Sequence, residues 1–315
     1  MLKIPIITAD VAVVYVLGGI DLKKAAIYAF CPYVIFISVV WGMFDAIVAI
    51  FLLLSYLTFS KNSYFLSGAT YGLSLVKLYT AFLLPLYVYR MIGKWKELGQ
   101  FLVGFLITLL PVGYYFLADP SSFWNVLVVF QGIRVMGGVN LYNFIWIVPD
   151  VRFDILLSEV ATVLTVLAVA CAVLMYGRKL PLLEAMLAVM LVSFLFGKVL
   201  NEQFLVSIFP LLLLCRKCDY RIWVAPFAFI FMRSSFYYFA IPILWASPYF
   251  YDLYFKAEAV WMLLQTAGYL MIPMYATGIA FSLLLLWNLL RILSVAQGGI
   301  RDSRILSLIP RRRLK

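Results

Sequence analysis

Six places in this apolar chain carry side chains able to do acid–base or anion chemistry. Asp45 follows a tryptophan and a glycine in VVWGMFDAIVAIF. Asp10 interrupts KIPIITADVAVVYVL, Lys77 interrupts SLVKLYTAFLLPLY, and Arg134 lies in FQGIRVMGGVNLYNF. Lys198, Asn201, Glu202 and Gln203 crowd into FGKVLNEQFLVSIFP, and Arg233 sits in FMRSSFYYF. An ionisable group at membrane depth costs at least about 2.5 kcal/mol, so each is a candidate functional residue. Their types fit one kind of chemistry. Lys and Arg can hold a phosphate, a carboxylate can take a proton from a hydroxyl, and amides can orient a polar substrate.

Each residue also has a structural account. Asp10 could bond to a neighbouring helix. Asp45 suits the first turn of a helix, where a carboxylate meets unpaired N–H groups. Lys77 can snorkel to the interface and Arg134 can anchor there. Lys198 and Glu202 have the spacing of an i,i+4 ion pair. Arg233 either faces the same cavity as the others or marks an early helix end. The chain has no histidine, which removes the commonest general base and zinc ligand. Of four cysteines, two form CRKC (215–218); one CxxC without a second pair is a weak metal or redox signal, and all four read as small apolar residues.

The elements that must position these groups are set by composition. Of 315 residues, 66% are hydrophobic and 12% charged, with mean hydropathy +1.04, far from the quarter-charged composition of soluble domains. The expectation is an all-α integral membrane protein, because lipid leaves backbone groups no partner outside a helix. Apolar runs at 4–20, 25–40, 45–60, 64–76, 79–91, 100–118, 155–176, 182–199, 203–215, 222–243 and 262–290 predict about eleven transmembrane helices. Several are short or broken. A helix of about 13 residues covers only about 20 Å of a roughly 30 Å hydrocarbon core. Such helices meet neighbours inside the membrane or line a protein-walled cavity.

The net charge of +11 is distributed as an orientation signal, and no nucleic-acid partner is implied. With eleven crossings, the basic breaks at 21–24, 60–63, 90–96, 177–179, 216–221 and the tail share one side, holding about 18 of the 25 Lys and Arg. That side reads as cytoplasmic, which puts the N-terminus outside. Residues 1–290 then form one polytopic domain. The tail 291–315, with seven basic residues and one acid, favours an anionic lipid surface. The other side collects Asp45, Asp119, Asp150, Asp154, Glu202, Asp252 and Glu258. It also holds the external loop 119–154, whose aromatic content predicts an amphipathic interfacial helix. The two halves do not read as inverted copies, which counts against common transporter folds.

At this point the residues resemble a family. CPYVIFISVVWGMFDAIVAIFLLLS looks like the WGxFDA segment of GT-C fold membrane glycosyltransferases, with Cys31 where an Asn usually precedes Pro32. VKLYTAFLLPLYVYR is similar to a segment of lipid-linked mannosyltransferases, with Thr80 where Pro is common. FQGIRVMGGVNLYNF resembles their Arg-bearing external loop, KVLNEQFLVSIFPLLLL their EQ…PLLL segment, and KIPIITADVAVVYVL the helix after their first external loop. The order matches from residue 3 to about 215.

The resemblance implies a GT-C-like bundle that transfers one sugar from a polyprenyl-phosphate donor to a hydroxyl acceptor, by single displacement with inversion. Lys77, Arg134 and Lys198 would contact phosphate. Asp45, Asn201, Glu202 and Gln203 would shape the sugar or acceptor site. The family's first helix and the external loop carrying its catalytic aspartate have no counterpart before KIPIITAD. A misassigned start, a partner subunit or an inactive copy would each account for that. The catalytic residue is therefore unassigned, with Asp45 and Asp10 as candidates. The expected function is hexose transfer, mannose favoured, to a glycan, lipid or protein acceptor on the external face. The alternatives are a transporter or flippase of an anionic or lipid-linked substrate, and a noncatalytic subunit of a split glycosyltransferase. No cofactor is firmly implied, although the resemblance leaves room for a divalent metal ion. The expected membrane is the plasma membrane in a prokaryote and the endoplasmic reticulum in a eukaryote.

Overall fold

The computed structural model describes residues 3–129, 137–139, 142, 151–233 and 271–297. These residues are mostly helical. The order is α1 (Lys3–Gly18), α2 (Leu22–Ala29), α3 (Pro32–Ile35), α4 (Asp45–Ser60), α5 (Tyr64–Ser74), α6 (Leu84–Met91) and α7 (Trp95–Ala118). Then follow α8 (Pro120–Trp124), α9 (Val151–Tyr176), α10 (Leu182–Phe196), α11 (Phe204–Leu214), α12 (Val224–Arg233) and α13 (Met271–Gln297). Among the described residues the β structure is one parallel pair, β1 (Gly137–Gly138) against β2 (Val199–Leu200).

Local sequence explains the breaks. The Asp21 side chain accepts from the backbone N–H of Lys23 at 3.0 Å and so opens α2. Pro32, with no N–H to lose, opens α3 at a bend of 50° from α2. The expected single span 25–40 is therefore a bent pair, and its second half relaxes into a π-helical turn over Phe36–Val40. Asn62 adopts φ +60° after α4, which lets the N–H groups of Asn62 and Ser63 close back on Phe59 and Thr58 at 2.9 Å each. Pro85 cannot bond back to the preceding turn, and Leu78–Leu83 winds as a tighter 3₁₀ helix instead.

Three helices have the length and apolarity to cross a bilayer alone, at Trp95–Ala118, Leu156–Tyr176 and Pro273–Ser294, and the bent pair would make a fourth. Asp45–Ser60, Leu182–Phe196 and Phe204–Leu214 are apolar but shorter. These counts are of the described residues, and their lengths and apolarity support a membrane protein with several short helices; the expected total of about eleven also draws on residues outside the described ones. Two boundaries also move. α9 begins at Val151, so the loop expected over 119–154 ends earlier, and α13 runs to Gln297, past the expected domain limit at 290. The loop opens with α8, capped by Asp119 accepting from the Ser122 N–H at 3.0 Å.

Packing centres on α4, α10 and α11, whose buried faces are almost wholly aliphatic. α1 and α11 pack against α4, α4 pairs with α5, and α5 lies on α7. The α5–α7 seam is made by glycines. A Cβ on Gly68 would strike the Phe101 carbonyl oxygen, and one on Gly104 would strike that of Phe65. Between lipid-facing helices such close backbone approach is a main source of association. A buried hydroxyl relay ties α4, α5 and α6 together: Ser55 Oγ lies 2.9 Å from Tyr87 OH, and Ser55 and Ser67 exchange bonds to each other's carbonyls at 3.1 and 3.0 Å.

Candidate functional site

The turn WGMF delivers Asp45 to the start of α4. Gly42 takes φ +76°, and the Met43 N–H closes the turn on the Ile37 carbonyl at 3.0 Å. Lys3 adds a clamp, its ammonium donating to the Val39 and Val40 carbonyls at 2.9 and 3.1 Å. A cation at that helix end faces the negative pole of the helix. Asp45 is the first helical residue rather than the cap, and the capping position belongs to Phe44, which makes no side-chain cap bond.

Lys77 comes from the joint between α5 and the 3₁₀ turn, in extended backbone. Thr80 holds that joint, donating its hydroxyl to the Lys77 and Ser74 carbonyls at 3.0 and 3.2 Å. Tyr71 reaches over to donate to the Thr80 carbonyl at 3.0 Å. So fixed, Lys77 donates from Nζ to Asp45 Oδ2 at 2.5 Å, and Tyr79 donates from its hydroxyl to Asp45 Oδ1 at 2.8 Å. Both carboxylate oxygens are thereby engaged. The Asp45 side chain is 0% exposed and that of Lys77 19% exposed, so Lys77 is the more exposed member of the pair. Asp45 thus keeps the first-turn position its structural account gave it, without being the cap, and adds to it an ion pair with Lys77.

The third wall is the start of α11. Phe204 stacks on Tyr79 with centroids 4.2 Å apart, and the Lys77 ammonium lies 5.7 Å from the Phe204 ring centre. Asn201, Glu202 and Gln203 form the turn just before it, where the Phe204 N–H closes on the Asn201 carbonyl at 3.1 Å. Glu202 and Gln203 are buried. Tyr33 donates its hydroxyl to the Glu202 carbonyl and lies within electrostatic reach of both Asp45 and Glu202. The sequence placed Lys198 and Glu202 one helical turn apart. The segment between α10 and α11 is instead extended through β2, so the two residues do not stand one helical turn apart. Lys198 is half-buried one residue before β2.

The short β pair brings part of the segment between α8 and α9 to this turn. The Val139 N–H donates to the Leu200 carbonyl at 2.7 Å, next to Asn201. Gly138 has φ +95°, and a Cβ there would run into the Leu200 carbonyl. Arg134 itself lies outside the described residues, as do Asp150, Asp252 and Glu258. Arg233 ends α12, and its side chain is likewise outside them.

Asp10 stands apart from the ion pair. It is half-buried midway along α1 and accepts from the Tyr28 hydroxyl of α2 at 2.8 Å, which is the helix-to-helix bond its structural account required. The structure thus unites Asp45, Lys77 and the 201–203 turn and puts Asp10 in a neighbouring cluster. Sequence reasoning missed Tyr79, Phe204 and Tyr33. Phe204 adjoins Gln203 and Tyr79 lies two residues after Lys77, both inside quoted motifs, which is the signal that could have found them. It also missed GATYG (68–72), a small-xxx-small pattern that marks the α5–α7 seam. Among the described residues no group of three or more His, Cys, Asp and Glu could hold a metal ion.

Compared with known protein families, curated proteins and solved structures, the chain matches none.

Proposed function

We propose that the chain transfers a hexose, with mannose favoured, from a polyprenyl-phosphate sugar to a hydroxyl of a glycan, lipid or protein acceptor. The reading rests on one observation: a partly exposed lysine, a buried carboxylate and an aromatic wall meet at broken helices of a membrane protein. The Lys77 ammonium suits the charge that builds on a departing lipid phosphate. Asp45 is the carboxylate nearest to that charge and the candidate to take the acceptor's proton. Phe204 and Tyr79 offer ring faces against which the C–H face of a sugar packs. The buried 201–203 turn supplies amide and carboxylate groups for its hydroxyls. In this reading the site faces the outside of a plasma membrane, or the lumen of the endoplasmic reticulum. The basic segment 291–315 lies on the cytoplasmic leaflet against anionic lipid.

The test is full-length protein in lipid nanodiscs, given radiolabelled polyprenyl-phosphate mannose and a lipid-linked or peptide acceptor. Appearance of label on the acceptor supports the proposal. Movement of the labelled lipid between leaflets without a new glycosidic bond favours the transport alternative and rejects this one.

A further inference from the structure

The two partners of the Asp45–Lys77 pair are not held alike. Asp45 has a short side chain, is closed off from outside, and sits in the first turn of α4, where unpaired N–H groups favour a carboxylate. Its other oxygen, Oδ1, accepts from the Tyr79 hydroxyl at 2.8 Å, a bond separate from the one to Lys77. Lys77 ends in a flexible four-carbon stem with three donors and is the exposed partner. An anion arriving from outside therefore meets Lys77 before Asp45, and the carboxylate left behind retains support.

We propose that Asp45 is a built-in counter-ion: it occupies Lys77 in the resting protein, and a phosphate monoester or diester takes the ammonium over by displacing it. This rests on the reading of Lys77 as the phosphate contact. The consequence is an order of events. Asp45 Oδ2 loses its cation only when phosphate is present, so the carboxylate becomes available to an acceptor hydroxyl after the donor is seated. The closed pair also lowers phosphate affinity, because only the open fraction of the protein can bind. A pair closed about nine-tenths of the time weakens apparent binding about tenfold.

Binding of geranylgeranyl phosphate to the full chain in nanodiscs tests this, with geranylgeraniol as the neutral control and inorganic phosphate as the headgroup alone. Asp45→Asn keeps an oxygen for Tyr79 but frees the ammonium. The expected result is about tenfold tighter binding of the phosphate lipid, unchanged binding of the alcohol, and a shift in the same direction for inorganic phosphate. Tyr79→Phe removes the support that lets Asp45 release Lys77, and it should weaken phosphate-lipid binding about threefold. This second variant decides the matter if Asp45→Asn fails to fold. Equal or weaker phosphate-lipid binding by a folded Asp45→Asn protein overturns the proposal, and so does unchanged binding by Tyr79→Phe. Tightening in Asp45→Asn without sugar transfer by the wild type would keep the counter-ion and reject the transferase. Transfer without tightening would do the reverse.

Discussion

Replacing Gly138 with alanine should detach β1 from the 201–203 turn while leaving the Asp45–Lys77 pair intact. The glycine has φ +95°, which costs an L-residue about 1–3 kcal/mol. Its added Cβ would also meet the Leu200 carbonyl and lie 3.1 Å from the Asn201 nitrogen, so the strands must separate. Separation forfeits the 2.7 Å bond from the Val139 N–H to Leu200, worth about 1 kcal/mol. The sum is about 2–4 kcal/mol, which raises the open population roughly 30- to 700-fold, limited by the stability of the pair itself. Hydrogen exchange read by mass spectrometry on peptides covering 137–142 and 198–203 measures this directly. The Val139 amide should exchange faster by a factor in that range, while peptides from α4 should not change. An unchanged Val139 amide in the variant would refute the argument that this glycine permits the pairing.

Three further outcomes follow from the same geometry. Lys77→Met leaves Asp45 with the Tyr79 hydroxyl but without its cation and should destabilise the protein by about 1.5 kcal/mol; thermal melts should show part of the loss restored in the Asp45→Asn, Lys77→Met double variant. Gly104→Ala drives a Cβ into the Phe65 carbonyl, so its melting temperature should fall, whereas alanine at Gly99, which has open space, should leave it unchanged. Tyr33→Phe removes a buried donor to the Glu202 carbonyl and should cost about 1–3 kcal/mol, checked by the same melts.

The helices were legible where apolarity and punctuation agree. The run 45–60 matches α4 to the residue because Asp45 opens it and Asn62 ends the turn after it. Hydropathy alone could not find breaks that leave composition unchanged. Thus 25–40 hid the bend at Pro32, and 79–91 hid the change from 3₁₀ to α-helix that Pro85 imposes. Of the site, the charged members were visible because they are expensive in lipid, and three of the quoted segments do meet in space. Which cation met which carboxylate was not visible, since that depends on the fold of the 75–80 joint. The Thr80 hydroxyl sets this joint through two backbone carbonyls. Tyr79, Phe204 and Tyr33 were invisible for a different reason: in a chain with 17% aromatic residues, one more ring carries no signal until its neighbours are known.

The glycine seam between α5 and α7 has a consequence for temperature. In lipid, two apolar helix faces gain nothing from expelling water, and the contact at Gly68 and Gly104 draws on dispersion between closely apposed backbones. Water-driven burial carries a large heat-capacity change and weakens on cooling. The seam carries no such term. It should grip in the cold as it does when warm, and the joint at 75–80, which α5 leads into, inherits that constancy.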